Sequence, residues 1–169
     1  MKRIAIIGPE CTGKSWLSQK LSEYYNTVWV PEYAREYIDQ LDRPYNRNDL
    51  IQIAKGQVEL EDRLAGTANG LLICDTNLIV IKVWSEHKFG QCDPWILQEI
   101  NRRTYDLYLL TYIDIPWEQD PQREHPQLRN YFYDVYYREL MNTKTRFSVV
   151  TGLGESRLQA AINLVNEVL

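Results

Sequence analysis

The chain has 169 residues and a mass of 20.0 kDa, a size at which one domain buries roughly 70% of the surface that its unfolded form exposes. Apolar residues make up 44% and charged residues 25%, which excludes an intrinsically disordered chain. A net charge of −4 and a pI near 5.3 argue against a nucleic-acid partner. No apolar run approaches the ~20 residues of a membrane helix, which argues against a membrane partner.

The cysteines and the first residues indicate the compartment. Cys11, Cys74 and Cys92 are odd in number and lack C-x-x-C spacing, so neither a disulfide framework nor a zinc site is indicated. The first ten residues contain a strand-like run instead of a signal peptide. We therefore expect a cytoplasmic protein with a single domain over residues 1–169, and the sequence leaves its oligomeric state open.

Five short apolar runs have the length and composition of strands that are covered on both faces of a parallel sheet. They are RIAII at 3–7, TVWVP at 27–31, LLICD at 71–75, DLYLLTYI at 106–113 and RFSVVT at 146–151. Between them, helical periodicity is clearest over residues 47–68 and 155–169. This alternation predicts an α/β fold, a parallel sheet of about five strands with helices on both faces. Ligands of such sheets bind at the carboxyl ends of the strands.

The first predicted strand runs into Gly8 to Ser15, a complete G-x-x-x-x-G-K-S motif, and a helical run follows. Glycines at these positions let successive amides point at an anion, and the dipole of the following helix favours the same phosphates. Lys14 supplies a mobile positive charge, and Ser15 supplies a hydroxyl for Mg²⁺. We predict that a magnesium–nucleoside triphosphate contacts Gly8, Pro9, Glu10, Cys11, Thr12, Gly13, Lys14 and Ser15.

This motif does not separate a kinase from a GTPase or an ATP-driven machine. The chain is short for an AAA-type machine with its sensor-bearing lid domain, and the N-K-x-D motif of Ras-like GTPases is absent. A small phosphoryl-transfer kinase therefore remains as the interpretation.

Two carboxylates follow predicted strands. Glu32 lies just past the second strand, where it can accept a proton from a substrate hydroxyl, and Arg35 lies one helical turn further on. Asp75 closes the third strand in a Walker B pattern, close to the Mg²⁺ that Ser15 would hold. The alternatives are that Glu32 and Arg35 only begin a helix, and that Asp75 is the N-cap of the run that starts at Asn77.

Residues 114–130 are polar and contain three prolines and two arginines, a composition that favours a mobile lid. A kinase needs a lid to exclude water and needs cations near the transferring oxygens. Arg123 and Arg129 fit that role, although one of them could stack on adenine instead. The alternative is a solvated loop with two surface arginines. Gly152, after the fifth strand, is either at the adenine edge or in a tight turn.

Aromatic residues offer a second ligand surface. Trp84, together with Phe89, Trp95, Tyr33 and Tyr37, could enclose a planar, cationic substrate ring, although most aromatic residues belong to a core. His87 and His125 are too isolated in sequence to be assigned as ligands or bases.

Together these motifs resemble the ribosylnicotinamide kinase domain of the NadR family. The blocks that carry the resemblance run from about residue 2 to residue 165: GPECTGKS, WVPEYAREYI, IAKGQVELED, LLICDTN, VWSEHKFG, YDLYLL, DIPWEQDPQRE and VTGLGESRLQAA. The resemblance implies a three-layer P-loop kinase fold with strand order 2-3-1-4-5. It also implies ATP and Mg²⁺ as cofactors and phosphorylation of the 5′-hydroxyl of nicotinamide riboside to nicotinamide mononucleotide.

The resemblance also implies roles for particular residues. It places nucleotide binding on Gly8 to Trp16, and substrate contacts at Glu32, Tyr33, Arg35 and Trp84. The predicted catalytic residues are Lys14, Glu32, Asp75, Arg123 and Arg129, with Ser15 and Asp75 at the metal and Gly152 at the nucleotide. Which carboxylate is the base, and which holds the metal, stays open, as does the choice between ATP and GTP.

The sequence departs from this family in two respects. Cys11 stands where a serine is expected, a mild change because this position contributes mainly its backbone. NadR proteins usually carry an adenylyltransferase domain ahead of the kinase, so we expect only the kinase step here. The alternatives are a kinase for another nucleoside or small alcohol, and a nucleotide-binding regulatory module without turnover.

Overall fold

The computed structural model describes residues 1–169, which form five strands and seven helices. The strands are β1 (Lys2–Ile7), β2 (Trp29–Val30), β3 (Leu71–Asp75), β4 (Leu107–Thr111) and β5 (Phe147–Val150). The helices are α1 (Lys14–Tyr24), α2 (Tyr33–Asp39), α3 (Arg47–Ala65), α4 (Leu78–Phe89), α5 (Pro94–Arg102), α6 (Arg129–Met141) and α7 (Gly154–Asn166). None of these helices combines the length and the apolar composition needed to cross a membrane.

All strand pairs are parallel, and the order across the sheet is β2-β3-β1-β4-β5. This confirms the predicted fold class and strand order. The register pairs Ile6 of β1 with Asp75 of β3, and Ile7 of β1 with Leu110 of β4. The segments that follow β1, β3 and β4 therefore leave the sheet side by side at its carboxyl edge.

Alternation along the strands creates two cores, one on each face of the sheet. Ile4 and Ile6 of β1 face a cluster to which α1 and α7 contribute, whereas Ala5 and Ile7 face a cluster to which α4 and α6 contribute. A third cluster joins α2, α3, α4 and α5. Burial of each large aliphatic side chain contributes about 1.5–3 kcal/mol, so these cores hold the three layers together.

The helix starts explain several element boundaries. Asn46 and Asp49 form a capping box at the start of α3. The side chain of Asn77 accepts a hydrogen bond from the Ile79 amide at 3.0 Å and is the N-cap of α4. The alternative that Asp75 is this N-cap is therefore wrong. Because Asn77 caps α4, the carboxylate of Asp75 is not used as a helix cap and is available to the site.

Several predicted elements are longer than the observed ones. The second strand has only two residues, because Pro31 has no amide hydrogen for the ladder. The predicted helix over residues 47–68 ends at Ala65, and the last helix spans Gly154–Asn166 instead of residues 155–169.

Candidate active site

The loop after β1 has an unusual backbone that its sequence makes possible. Gly8, Cys11 and Gly13 have φ angles of 151°, 55° and 77°. A Cβ on Gly8 would lie 2.3 Å from Thr111 Oγ1, so only glycine fits against the end of β4. Gly13 is the N-cap of α1 and has no side chain that could accept hydrogen bonds from the first amides of the helix. These amides are therefore free to bind a ligand. The loop therefore has the geometry of an anion-binding site.

Lys14, Ser15 and Asp75 lie together at this loop. Lys14 Nζ donates to the Pro9 carbonyl at 2.9 Å, and Ser15 Oγ donates to Asp75 Oδ2 at 2.5 Å. Asp75 Oδ1 is buried and has no hydrogen-bond partner. Burial raises the pKa of Asp75, while the bond from Ser15 and the charge of Lys14 act against this rise.

This donor set fits Mg²⁺. The unpartnered Asp75 oxygen and the Ser15 hydroxyl are hard oxygen ligands, which Mg²⁺ prefers. The chain has no group of three or more His, Cys, Asp or Glu residues that would hold a metal by itself. Mg²⁺ is typically bound by one or two protein oxygens together with water and phosphate oxygens, so an ion here would arrive with the nucleotide.

Glu32 is the N-cap residue of α2 and faces the same cavity as Lys14 and Asp75. Burial raises the pKa of Glu32 to about 7, and the negative charge of Asp75 contributes to the rise; Lys14 and Arg35 oppose it. A carboxylate with this pKa can both accept and release a proton near neutral pH.

The cavity has a volume of about 750 Å³, in the range of small-molecule sites. It runs along the carboxyl edge of the sheet. The predicted site residues that line it are Gly8, Pro9, Glu10, Cys11, Thr12, Gly13, Lys14, Ser15, Trp16, Glu32, Arg35, Asp75, Trp84 and Arg123. The structure thus brings the predicted nucleotide loop, both carboxylates and Trp84 into one space.

Tyr33 and Gly152 do not line this cavity. The ring of Tyr33 packs on α3, where a Cβ on Gly56 would lie 2.1 Å from it, and the Tyr33 amide donates to Gln57 Oε1 at 2.8 Å. Tyr33 therefore holds α2 on α3, and its expected contact with the substrate stays a prediction. Gly152 donates its amide to Asp114 Oδ2 at 2.6 Å, and the next two residues, Leu153 and Gly154, line the cavity in its place.

The two lid arginines differ. Arg129, also outside the cavity lining, is the first residue of α6, and its Nη2 donates to the carbonyls of Cys11 and Ile115 at 3.0 and 2.6 Å. Here Arg129 connects the loop of residues 8–15, the P-loop, to the predicted lid, and its expected role at the transferring phosphate stays a prediction. Arg123 does line the cavity, with Nη1 donating to the Glu118 carbonyl at 2.5 Å.

Residues 114–128 form no helix or strand, and six of them line the cavity: Ile115, Glu118, Asp120, Gln122, Arg123 and His125. The Glu10 carboxylate accepts from the amides of Glu124 and His125 at 3.1 to 3.2 Å, which fixes the lid to the P-loop. Arg35 donates to both carboxylate oxygens of Asp120, at 3.0 and 2.7 Å, which fixes the lid to α2. In this structure the Arg35 guanidinium, expected at a substrate oxygen, is paired with Asp120 of the predicted lid.

The profile of the AAA_28 family, described as AAA domain, matches residues 3–157. The chain belongs to the AAA_28 family. Membership of this family does not decide whether the chain works as an AAA-type machine. The expectation that it is too short for one stays a prediction.

Sequence relatives of this AAA_28 chain include two proteins described as trifunctional NAD biosynthesis/regulator protein NadR. Those of Escherichia coli K12 and Salmonella typhimurium LT2 are each 29% identical over 129 residues, which is 73% of this chain and 31% of theirs. The chain thus spans about a third of the length of these relatives. The resemblance to NadR proteins is confirmed.

Solved structures show the same fold. A NadR protein in complex with NR matches with a TM-score of 0.85 and 23% identity, over 99% of this chain and 51% of the other. A NadR protein in complex with NAD and AMP-PNP matches with a TM-score of 0.82 and 24% identity, over 99% and 49%. Deoxyadenosine kinase from M. mycoides with bound dCTP matches at 0.58 and 14% identity, over 98% and 100%. The fold of this AAA_28 domain is therefore that of the P-loop nucleoside and nucleotide kinases.

Sequence reasoning missed some cavity residues of this AAA_28 domain. Arg157 and Trp29 both line the cavity. Arg157 occupies the apolar stripe of α7 beside Leu158 and Ala161, and a charged residue on an apolar stripe was the available indication. His87 and His125, which looked isolated, lie with their ring centroids 5.0 Å apart. Distance along the chain gave no indication of this pair.

Proposed function

We propose that this chain transfers the γ-phosphoryl group of ATP to the 5′-hydroxyl of nicotinamide riboside and forms nicotinamide mononucleotide. The observation that carries the proposal is the single cavity that the P-loop, Asp75 and Glu32 line together, since a triphosphate and a hydroxyl can meet there. The likeness to NadR structures in complex with NR, and with NAD and AMP-PNP, supports this pair of ligands.

On the nucleotide side, the amides from Gly8 to Ser15 bind the phosphates, and the start of α1 adds its dipole. Lys14 exchanges the Pro9 carbonyl for a phosphate oxygen. Ser15 and Asp75 are the residues that would hold Mg²⁺, which neutralises charge on the β- and γ-phosphates when it is bound.

On the nucleoside side, Glu32 accepts the proton of the ribose hydroxyl as that oxygen attacks. Trp84 offers an aromatic face, which attracts a cationic ring such as a pyridinium. Arg123, in the lid, adds positive charge near the transferred group, and the closed lid excludes water. Catalysis then depends on positioning and on electrostatic stabilisation.

A turnover assay with a panel of nucleosides tests the proposal. The purified chain is incubated with ATP–Mg²⁺ and, separately, with nicotinamide riboside, adenosine, cytidine and uridine, and the monophosphates are quantified by mass spectrometry. We expect nicotinamide mononucleotide from nicotinamide riboside. If only another nucleoside gave a monophosphate, nicotinamide riboside would be the wrong substrate, but the assignment as a kinase would stand. Tight binding of ATP without any product would contradict the kinase and favour a regulatory module.

A further inference from the structure

Arg157 is a fully buried charge beside the nucleotide loop. It has 0% relative exposure and lies in the first turn of α7, among apolar residues that pack under the sheet. A buried guanidinium is costly unless its charge and its donors are matched by acceptors. The hydrogen-bond partners of Arg157 must therefore account for its burial.

The partners of Arg157 belong to three separate segments at the carboxyl edge of the sheet. Nη2 donates to the carbonyls of Thr12 in the P-loop and Tyr112 after β4, at 2.8 and 2.9 Å. Nη1 donates to Asp114 Oδ1 at 2.7 Å and to the Gly152 carbonyl after β5 at 2.9 Å. The second oxygen of Asp114 accepts from the Gly152 amide at 2.6 Å, so the network closes on itself.

This network reaches one side of the cavity only. Thr12 belongs to the loop whose amides would bind the phosphates, and Leu153 and Gly154, next to Gly152, line the same cavity. None of the hydrogen bonds of Arg157 reaches Glu32 or Trp84, which line the nucleoside side. Arg157 itself lines the cavity, and its Nε is buried without a protein partner, which is rare for a buried donor.

We propose that Arg157, paired with Asp114, is a positioning residue that sets the spacing between the P-loop and the β5–α7 loop and thereby determines nucleotide affinity independently of nucleoside affinity. The inference rests on the proposed function only for the identity of the nucleotide. Arginine suits this task because its planar fork presents several donors in a fixed geometry, whereas lysine presents one compact charge that cannot span three segments.

The variant Arg157→Lys tests the proposal, with Arg103→Lys as a matched control. The side chain of Arg103 is only 6% exposed and pairs with Glu61 and Asp62, but it lies just before β4, near the amino ends of the strands. We measure the Kd of ATP–Mg²⁺ and the Kd of nicotinamide riboside by calorimetry, together with the melting temperature. We expect Arg157→Lys to weaken ATP binding about tenfold and to leave the Kd of the nucleoside unchanged. We expect Arg103→Lys to lower only the melting temperature.

A second variant covers the case in which Arg157→Lys does not fold. Asp114→Asn keeps the size of the side chain but removes the charge opposite Arg157, and we expect it to weaken ATP in the same selective way. The proposal is overturned if a folded variant binds ATP as the wild type does, or if ATP and nucleoside affinities fall equally. Calorimetry of ATP needs no turnover, so a chain that binds ATP without phosphorylating a nucleoside contradicts the proposed kinase and leaves this test intact.

Discussion

At the scale of single residues, the acidity of Glu32 connects the cavity to a pH profile. Burial raises its pKa from the ordinary value of 4.5 to about 7. If Glu32 is the base, kcat/KM falls as pH falls below about 7, because the carboxyl is then protonated. We expect Glu32→Gln to lose about 100-fold or more of kcat and to keep ATP affinity. A fully active Glu32→Gln would contradict the assignment.

The same residue gives a test that needs no activity. The folded state binds the Glu32 proton more tightly than the unfolded state, so stability falls as pH rises from 4.5 through about 7. Glu32→Gln removes this loss. We therefore expect the melting temperature of the variant to rise relative to that of the wild type as pH increases from 4.5 to about 7. Glu36→Gln, an exposed change on the same helix, is the control and is expected to gain nothing. If the melting temperatures of Glu32→Gln and wild type changed in parallel with pH, the raised pKa of Glu32 would be contradicted.

Lys14 is the second residue with a direct test. Its ammonium already lies inside the loop, 2.9 Å from the Pro9 carbonyl, where the phosphates would bind. Loss of one preorganised charge at a transition state typically costs about 100-fold or more in kcat, and we expect this from Lys14→Ala. Lys20→Ala on the same helix removes an exposed lysine that pairs with Glu23, and steady-state kinetics should not change. Similar rates for both variants would argue against the P-loop as the catalytic element.

At the scale of elements, the ion pair between Asp120 and Arg35 joins the predicted lid to α2. A pair of this exposure contributes up to about 1 kcal/mol, so Asp120→Asn should open the lid by roughly fivefold at most. We expect the ratio of ATP hydrolysis to phosphoryl transfer to rise accordingly, since water then reaches the γ-phosphate. Asp134→Asn, an exposed change on α6, is the control. An unchanged ratio in Asp120→Asn would mean that this pair does not hold the lid.

The contact of α2 with α3 is a second property of the elements. A Cβ on Gly56 would lie 2.1 Å from the Tyr33 ring, whereas a Cβ on Gly66 would meet only the Arg63 carbonyl at 3.4 Å. Overpacking of this kind costs about 1–3 kcal/mol. We expect Gly56→Ala to lower the melting temperature by about 2–4 °C per kcal/mol, and Gly66→Ala to have little effect. Equal melting temperatures of the two variants would contradict the packing of Tyr33.

At the scale of the whole molecule, the features that depend on neighbouring residues in the sequence could be predicted from it. The P-loop was predictable because the positive φ angles and close contacts at Gly8 and Gly13 require glycine, and glycines at this spacing are visible in the sequence. The parallel sheet was predictable because strands buried on both faces are apolar throughout. Asp75 and Glu32 were placed correctly at strand ends because the register of a parallel sheet brings those ends together.

What the sequence could not show depends on packing between distant segments. Tyr33 lies next to Glu32 in sequence, yet its ring turns to α3 because Gly56 leaves room there. Arg129 looked like a free lid residue, but α6 begins at it and carries its guanidinium to the Cys11 carbonyl. The partners of Arg157 lie 5 to 145 positions away along the chain, so no local pattern reveals them.

The central claim is that one cavity holds a triphosphate on the Gly8–Ser15 loop and presents a ribose hydroxyl to its end. A crystal structure with a non-hydrolysable ATP analogue, Mg²⁺ and nicotinamide riboside tests it most directly. We expect the phosphates on the amides of this loop, and the 5′-hydroxyl within hydrogen-bond distance of Glu32 and in line with the γ-phosphate. A loop without phosphates, or a riboside whose 5′-hydroxyl points away from the γ-phosphate, would contradict the account.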